Sequence, residues 1–136
     1  MSFGNTFENL VLDHNIGGPD YVRVNTLYVG LSTADPTDDA SGLAEPSGNA
    51  YARIATVNST NIWAAAAAGV KANAAALTFP TATGSWGNVT HFAVWTHVTS
   101  DQVGALLGSG ALGLAKNITN GDTPQFGIGS LSITLD

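Results

Sequence analysis

The sequence predicts a mainly β protein, an antiparallel β-sandwich of jelly-roll type with one short N-terminal helix. Two features predict this fold class. Short runs rich in β-branched and aromatic residues recur along the chain, and Gly, Pro, Asn and Asp separate nearly all of them. The length of 136 residues fits one domain, and 44% hydrophobic residues are enough to build a core. We therefore expect a helical arm over residues 1–16 and a single β-sandwich domain over residues 20–136.

The helical arm is predicted by the spacing of apolar residues near the N-terminus. These residues recur at i, i+4, i+7 and i+8: Phe3, Phe7, Leu10 and Val11. Asn5 or Thr6 is available as the N-cap, and the Gly-Gly-Pro sequence at 17–19 ends the helix. His14, in the last turn, is expected to cap the final carbonyl groups.

Strand periodicity replaces helical periodicity after the arm. The predicted strands cover residues 24–33, 51–57, 74–79, 89–96, 103–107, 112–118, 124–128 and 131–135. Residues 34–50 have turn chemistry throughout, with Asp-Pro, Ser-Gly and Glu-Pro pairs. Residues 63–76 are rich in Ala, which favours helix, but they offer no large apolar face to bury. We expect this segment to be extended or a loop that can include one helical turn.

The net charge of the chain argues against nucleic acid as a partner. The chain has 4 Lys+Arg against 10 Asp+Glu, a formal net charge of −6, which cannot supply the cluster of phosphate contacts that nucleic-acid binding needs.

The longest run without a polar side chain, residues 62–70, is too short to span a membrane. No secretion signal is visible at the N-terminus, so we expect synthesis in a cytoplasm and no membrane partner.

Motifs for catalysis or cofactor binding are weak in this sequence. The string Gly108-Ser109-Gly110-Ala111-Leu112-Gly113 matches a dinucleotide-binding fingerprint, but residues 114–119 do not suit the helix that the motif requires. Adjacent glycines between two apolar runs favour a hairpin turn instead. The chain has no Cys, no Gly-x-Ser-x-Gly elbow and no paired-carboxylate motif. We expect a protein that is not an enzyme and has no cofactor.

Metal binding has two weak candidates. His91 and His97 are predicted on the same face of one strand, but their spacing separates them by about 20 Å, too far for one ion. The turn-rich segment carries four acidic residues that could hold calcium: Asp35, Asp38, Asp39 and Glu45. Their spacing matches no EF-hand loop. The alternative is a solvated loop without a metal.

Aromatic residues and one arginine are the candidates for assembly contacts. Trp86 directly precedes the strongest predicted strand, and Trp95 lies within it. Each either fills the core or anchors a subunit contact. Arg53 follows Tyr51 on a strand that otherwise lacks charge. It either forms an ion pair with an acidic residue of the preceding loop or contacts a neighbouring subunit.

Four blocks of the sequence resemble a known family. They are Tyr-Val-Gly-Leu-Ser-Thr-Ala-Asp-Pro at 28–36, Glu-Pro-Ser-Gly-Asn-Ala-Tyr-Ala-Arg at 45–53, Leu-Thr-Phe-Pro-Thr-Ala-Thr-Gly-Ser-Trp-Gly-Asn-Val-Thr-His-Phe at 77–92 and Gly-Asp-Thr-Pro at 121–124. The chain resembles small virion structural proteins of tailed bacteriophages, which are labelled tail-fibre-like and some of which are similar to capsid cement proteins. The resemblance implies a virion location and carries over no catalytic residues.

The leading hypothesis from the sequence is a capsid cement protein. The chain has only 10% charged residues, so its surface can be covered by neighbouring subunits without stranding ions. The expected partners are the major capsid protein and further copies of the chain in a dimer or trimer, and the arm would dock on a neighbour. The expected assembly contacts are Phe3, Phe7, Leu10, Arg53, Trp86 and Trp95. The alternative is a tail or tail-fibre component that binds a receptor or glycan through Tyr51, Trp86 or Trp95.

Overall fold

The computed structural model describes residues 2–99 and 105–134. It contains 37% strand and 9% helix, with antiparallel sheets and one short N-terminal helix, so the predicted fold class is confirmed. The elements in chain order are β1 Ser2–Phe3, α1 Asn5–Asn15, β2 Thr26–Ser32, β3 Ile54–Val57, β4 Val70–Ala72, β5 Leu77–Thr78, β6 Gly87–Trp95, β7 Leu106–Ile118, β8 Gln125–Phe126 and β9 Ser132–Thr134. The predicted strands at 103–107 and 131–135 each lie partly outside the described residues.

The strands form one large sheet and two small ones. The large sheet has the order β1-β7-β6-β2-β3, and the pairs β4-β9 and β5-β8 form two-stranded sheets. Alternate residues of β2, Leu27, Val29 and Leu31, are buried on one face, as strand periodicity requires. This face shares its core with the two small sheets, which contribute Leu77, Phe126 and Ile133. The described strands thus divide five, two and two, and the jelly-roll topology is not confirmed.

The opposite face of the large sheet is covered by the turn-rich loop. Ala93 and Trp95 of β6 pack there against Leu106, Ala40 and Leu43. Residues 34–50 form no helix or strand, and several of their non-glycine residues have positive φ, which confirms the predicted turn chemistry. Both faces of the central strands are therefore buried, one by the small sheets and one by the loop.

The N-terminal arm differs from its prediction at both ends. Residue 3 belongs to β1, which pairs with β7, and the helix begins at Asn5 with Gly4 as its N-cap rather than Asn5 or Thr6. The N-cap position lies against β7, where a Cβ on Gly4 would be 2.6 Å from the Leu106 carbonyl oxygen. His14 does not cap a carbonyl group in the described structure; its Nδ1 accepts a hydrogen bond from the Tyr21 amide at 3.1 Å.

The alanine-rich segment is a tight β-hairpin. Trp63 forms a bridge with Asn73, and Ala67 and Val70 exchange backbone hydrogen bonds of 2.9 and 3.0 Å. The two turn residues, Ala68 and Gly69, have φ of 51° and 76°, which is typical of a type I′ turn. The extended conformation predicted for this segment is confirmed, and no helical turn forms in it.

The predicted hairpin turn at Gly108–Gly113 is wrong. A single strand, β7, runs through these residues, because Gly108 and Gly110 pair with Val94 and Phe92 of β6. The irregularity lies further along. Val89 pairs with Lys116, and His91, two residues later in β6, pairs with Ala111, five residues earlier in β7. The extra residues of β7, 112–115, therefore bulge out of the sheet.

Candidate functional site

Arg53 is buried beside the central sheet and is held by Glu45 of the turn-rich loop. Its Nε donates to Glu45 Oε1 at 2.8 Å and its Nη2 to Oε2 at 2.7 Å, a bidentate pair whose side chains are 3% and 19% exposed. Its Nη1 also donates to the His97 carbonyl at 2.9 Å. The structure thus contains the first of the two arrangements predicted for Arg53, and a contact between this residue and a neighbouring subunit stays a prediction.

Tyr51 extends this network into the core. Its hydroxyl donates to Glu45 and accepts from the Leu31 amide at 2.9 Å. Burial and the neighbouring Glu45 carboxylate raise the pKa of the Tyr51 phenol, because both disfavour the phenolate. The ring contacts Trp86 edge-on at 5.1 Å between centroids. The network therefore ties the loop, the start of β3 and the aromatic core together.

The two tryptophans predicted as assembly or stacking residues lie inside the molecule. Trp86 is 3% exposed, and its indole nitrogen donates to the Asn49 carbonyl at 2.8 Å. Trp95 is fully buried, and the Arg53 guanidinium lies over its ring at 4.2 Å from the centroid. Both residues fill the core, one of the two roles left open for them. Neither ring presents a face on which a sugar could stack in this conformation.

Two acidic residues of the loop, Asp35 and Asp39, cap turns, and the acidic residues do not form one cluster in the described structure. Asp35 accepts from the Thr37 amide at 3.0 Å, and Asp39 accepts from the Ser41 amide at 3.0 Å and from the Thr37 hydroxyl. Hydrogen bonds from Ser41 and Thr37 lower the pKa of Asp39 to about 2. Glu45 is directed away to Arg53. Across residues 2–99 and 105–134, no group of three or more His, Asp or Glu residues is arranged to hold a metal ion.

The apolar residues of the arm lie partly on the surface. Phe3 and Phe7 are half-buried with ring centroids 5.4 Å apart, and Tyr21 packs edge-on against Phe7. Leu10 is exposed, as are Leu12 and Ile16 at the end of the helix. None of the residues of α1 is fully buried. Three of the predicted assembly residues, Phe3, Phe7 and Leu10, therefore belong to one partly open apolar surface.

An apolar groove lies beside the bulge of β7. It has a volume of about 380 Å³ and is lined by core residues and by the bulge. Its floor is formed by three phenylalanines, Phe79, Phe92 and Phe126. The Phe126 ring contacts the other two edge-on, with centroid distances of 6.2 Å to Phe79 and 6.1 Å to Phe92. Leu114 projects from the bulge at its rim and is 69% exposed. Sequence reasoning missed this groove, although the glycine-rich run of β7 was a signal for a bulge.

A second, polar depression lies on the other side of β7. It has a volume of about 540 Å³ and is lined by Asp35, Asp38, His91 and Ser109 among others. His91 Nδ1 is 2.8 Å from the Thr90 hydroxyl, and His97 lies beyond the end of β6. The prediction placed both histidines on one strand, but only His91 lies in β6, because this strand ends at Trp95.

A comparison with protein families identifies the chain. The sequence profile of the podophage GP4 fiber I protein gp80 family matches residues 2–134, nearly the whole length. The chain belongs to this family. No curated protein matches the chain significantly.

Membership of the gp80 family makes this protein a phage virion structural protein. The resemblance to small virion proteins of tailed phages is thereby confirmed, and the virion is its location. In the part of the chain that the structure describes, α1 is not long and apolar enough to cross a membrane. Among the described residues, apolar side chains are exposed on the arm and line the groove.

Proposed function

We propose that this protein is a structural, non-catalytic component of a phage tail fibre and that it acts through contacts with other protein subunits. The observation that carries the proposal is the match of residues 2–134 to a family described as a fibre protein. The fibre role was the alternative in the sequence analysis, and the family description favours it over the cement role.

The distribution of apolar surface supports contacts with protein. The groove is lined mainly by aliphatic and aromatic side chains, and Lys116 is its one charged residue among those described. On the arm, Leu12 is 56% and Ile16 75% exposed. Exposed apolar surface of this kind is typical of protein interaction sites. Copies of the chain itself and other tail proteins are the proposed partners.

The location of the protein in the particle tests this proposal. Phage particles that carry an epitope tag on this chain are labelled with gold-conjugated antibody, and the copy number is measured by quantitative mass spectrometry against the major capsid protein. A fibre component labels the tail at low copy number. A cement protein labels the head at tens to hundreds of copies, and that result would refute the fibre role.

Deletion of the gene separates the same two roles. Particles without a fibre component keep intact heads and adsorb poorly to the host, whereas particles without a cement protein lose DNA on heating or at low salt. The matched control is the deleted phage complemented with the wild-type chain from a plasmid. Normal adsorption together with fragile heads would contradict the proposal.

A further inference from the structure

The apolar groove combines apolar lining residues with one positive charge. Its floor is aromatic, and Lys116 at its margin is exposed and forms no ion pair with any described residue. No acidic side chain lines the groove among residues 2–99 and 105–134. An occupant with a carboxylate beside its apolar residues would therefore be complementary to it.

The outer face of α1 has the required pattern. Leu12 lies in the middle of this face, with Glu8 one turn before it and Ile16 one turn after it at i±4 spacing. Leu12 and Ile16 are exposed, and Glu8 is exposed and has no ion pair in the described structure. The inner face of the helix carries Phe7 and Val11, which are half-buried against the body. The outer face is thus an unpartnered apolar stripe with an adjacent carboxylate.

The helix and the groove lie at opposite ends of β7. The start of the strand holds the arm, because Phe3 pairs with Gly108 and the Gly4 amide donates to the Leu107 carbonyl at 3.0 Å. The groove is lined by the later part of the same strand, from Ala111 to Ile118. The 13 residues of β7 extend for at most about 40 Å. No residue of α1 lines the groove and the outer face of α1 is exposed, so neither surface covers the other within one copy.

We propose that the outer face of α1 of one copy docks in the apolar groove of the next copy, with Leu12 beside the aromatic floor and Glu8 paired with Lys116. This is a helix-in-groove contact between two different surfaces of the same chain. Such a heterologous contact repeats from copy to copy and generates either a closed ring or an open filament. The inference rests on the proposed fibre function, in which copies of the chain are among the proposed partners.

A mixing experiment with two variants tests this contact. The helix variant carries Glu8→Gln and Leu12→Gln, and the groove variant carries Leu114→Ser and Lys116→Ala. All four positions are exposed, so both variants are expected to fold, and circular dichroism checks this. Val57→Ala is the matched control, because Val57 is exposed on β3, away from both surfaces.

Sedimentation equilibrium of the full chain is the measurement, at concentrations up to about 1 mM. The wild type and the Val57→Ala control are expected to show an average mass that rises with concentration. Each variant alone is expected to associate at least about tenfold more weakly, the effect of losing one interface anchor. An equimolar mixture of the two variants is expected to form a dimer and nothing larger, because one intact helix meets one intact groove.

Three results would overturn the inference. They are a wild type that stays monomeric, a mixture without dimers, and a loss of association in the groove variant but not in the helix variant, which indicates groove-to-groove pairing. A charge exchange adds a second readout: Glu8→Lys and Lys116→Glu each weaken association, and the double variant restores it.

Failure of this inference is distinguishable from failure of the proposed function. A chain found on the head in labelled particles refutes the fibre role whatever the sedimentation result. A chain found on the tail that shows no self-association refutes only the helix-in-groove contact.

Discussion

Removal of the Glu45 carboxylate should destabilise the fold more than any exposed charge change in this chain. Glu45→Ala leaves the Arg53 guanidinium 3% exposed and without its bidentate partner. It also removes the acceptor of the Tyr51 hydroxyl. Breaking a buried ion pair in this way costs about 3 to 5 kcal/mol.

The magnitude lies at the low end of that range for two reasons visible in the structure. The Glu45 side chain is 19% exposed, so water already screens part of the pair. Arg53 also keeps the His97 carbonyl and the face of Trp95 after the substitution. We expect a loss of about 3 kcal/mol, which corresponds to about 10 °C in Tm for a domain of this size.

Urea unfolding followed by tryptophan fluorescence measures this loss, because Trp63, Trp86 and Trp95 are all buried. The control is Asp20→Asn, which removes a 92% exposed carboxylate near His14 and should change the unfolding free energy by less than about 0.5 kcal/mol. In an Arg53→Met background, Glu45→Ala should cost less than about 1 kcal/mol, because no buried charge remains to be stranded. Equal, small effects of Glu45→Ala and Asp20→Asn would refute this account of the buried pair.

Four further predictions concern local features. The Asp39 carboxyl should titrate near pH 2 when followed by NMR. Because its pKa is lowered in the folded state, the ionised carboxylate stabilises the loop above about pH 4, and this stabilisation should be lost as the pH falls through 2. The Asp39→Asn variant should lack this pH dependence. The raised pKa of Tyr51 makes its contribution complete below pH 10 and reduces it progressively as the pH rises from 10 toward the raised value, so the fall in unfolding free energy at alkaline pH should be smaller in Tyr51→Phe. Gly4→Ala places a Cβ 2.6 Å from a carbonyl oxygen and should increase hydrogen exchange of the arm amides, whereas Gly113→Ala, with open space around it, should not. Ala68→Asn creates an Asn-Gly type I′ turn at a residue with φ of 51° and should raise the unfolding free energy by about 1 kcal/mol; a loss of stability would contradict the turn assignment.

The glycine-rich run shows why one local prediction was wrong. A sequence of the type Gly-Ser-Gly is compatible with a hairpin turn and with a strand, because glycine adopts positive and negative φ about equally readily. The paired strand decides between the two. Val94 and Phe92 of β6 lie opposite Gly108 and Gly110, and the arm adds β1 on the other side of the same residues. These partners come from distant parts of the chain, so local chemistry could not reveal them.

In the candidate site, too, tertiary contacts decided what the local sequence left open. Sequence patterns indicated Arg53, Trp86 and Trp95 as residues of interest, but left open whether they serve the core or the surface. That choice depends on burial, and burial depends on where the turn-rich loop lies over the sheet. The groove was invisible in the sequence, since residues that line it come from four separate strands, β2, β6, β7 with its bulge, and β8.

By itself, the sequence determined the fold class, the helical arm, the turn-rich loop and the family. These follow from periodicity and turn chemistry, which act between residues close together in the chain, and from blocks of residues that resemble related proteins. The tertiary structure decided which aromatic rings are buried, which acid pairs with Arg53, and where an open apolar surface remains. The physical reason is that burial and pairing are properties of contacts between distant segments, and they exist only once the chain has closed its sheets.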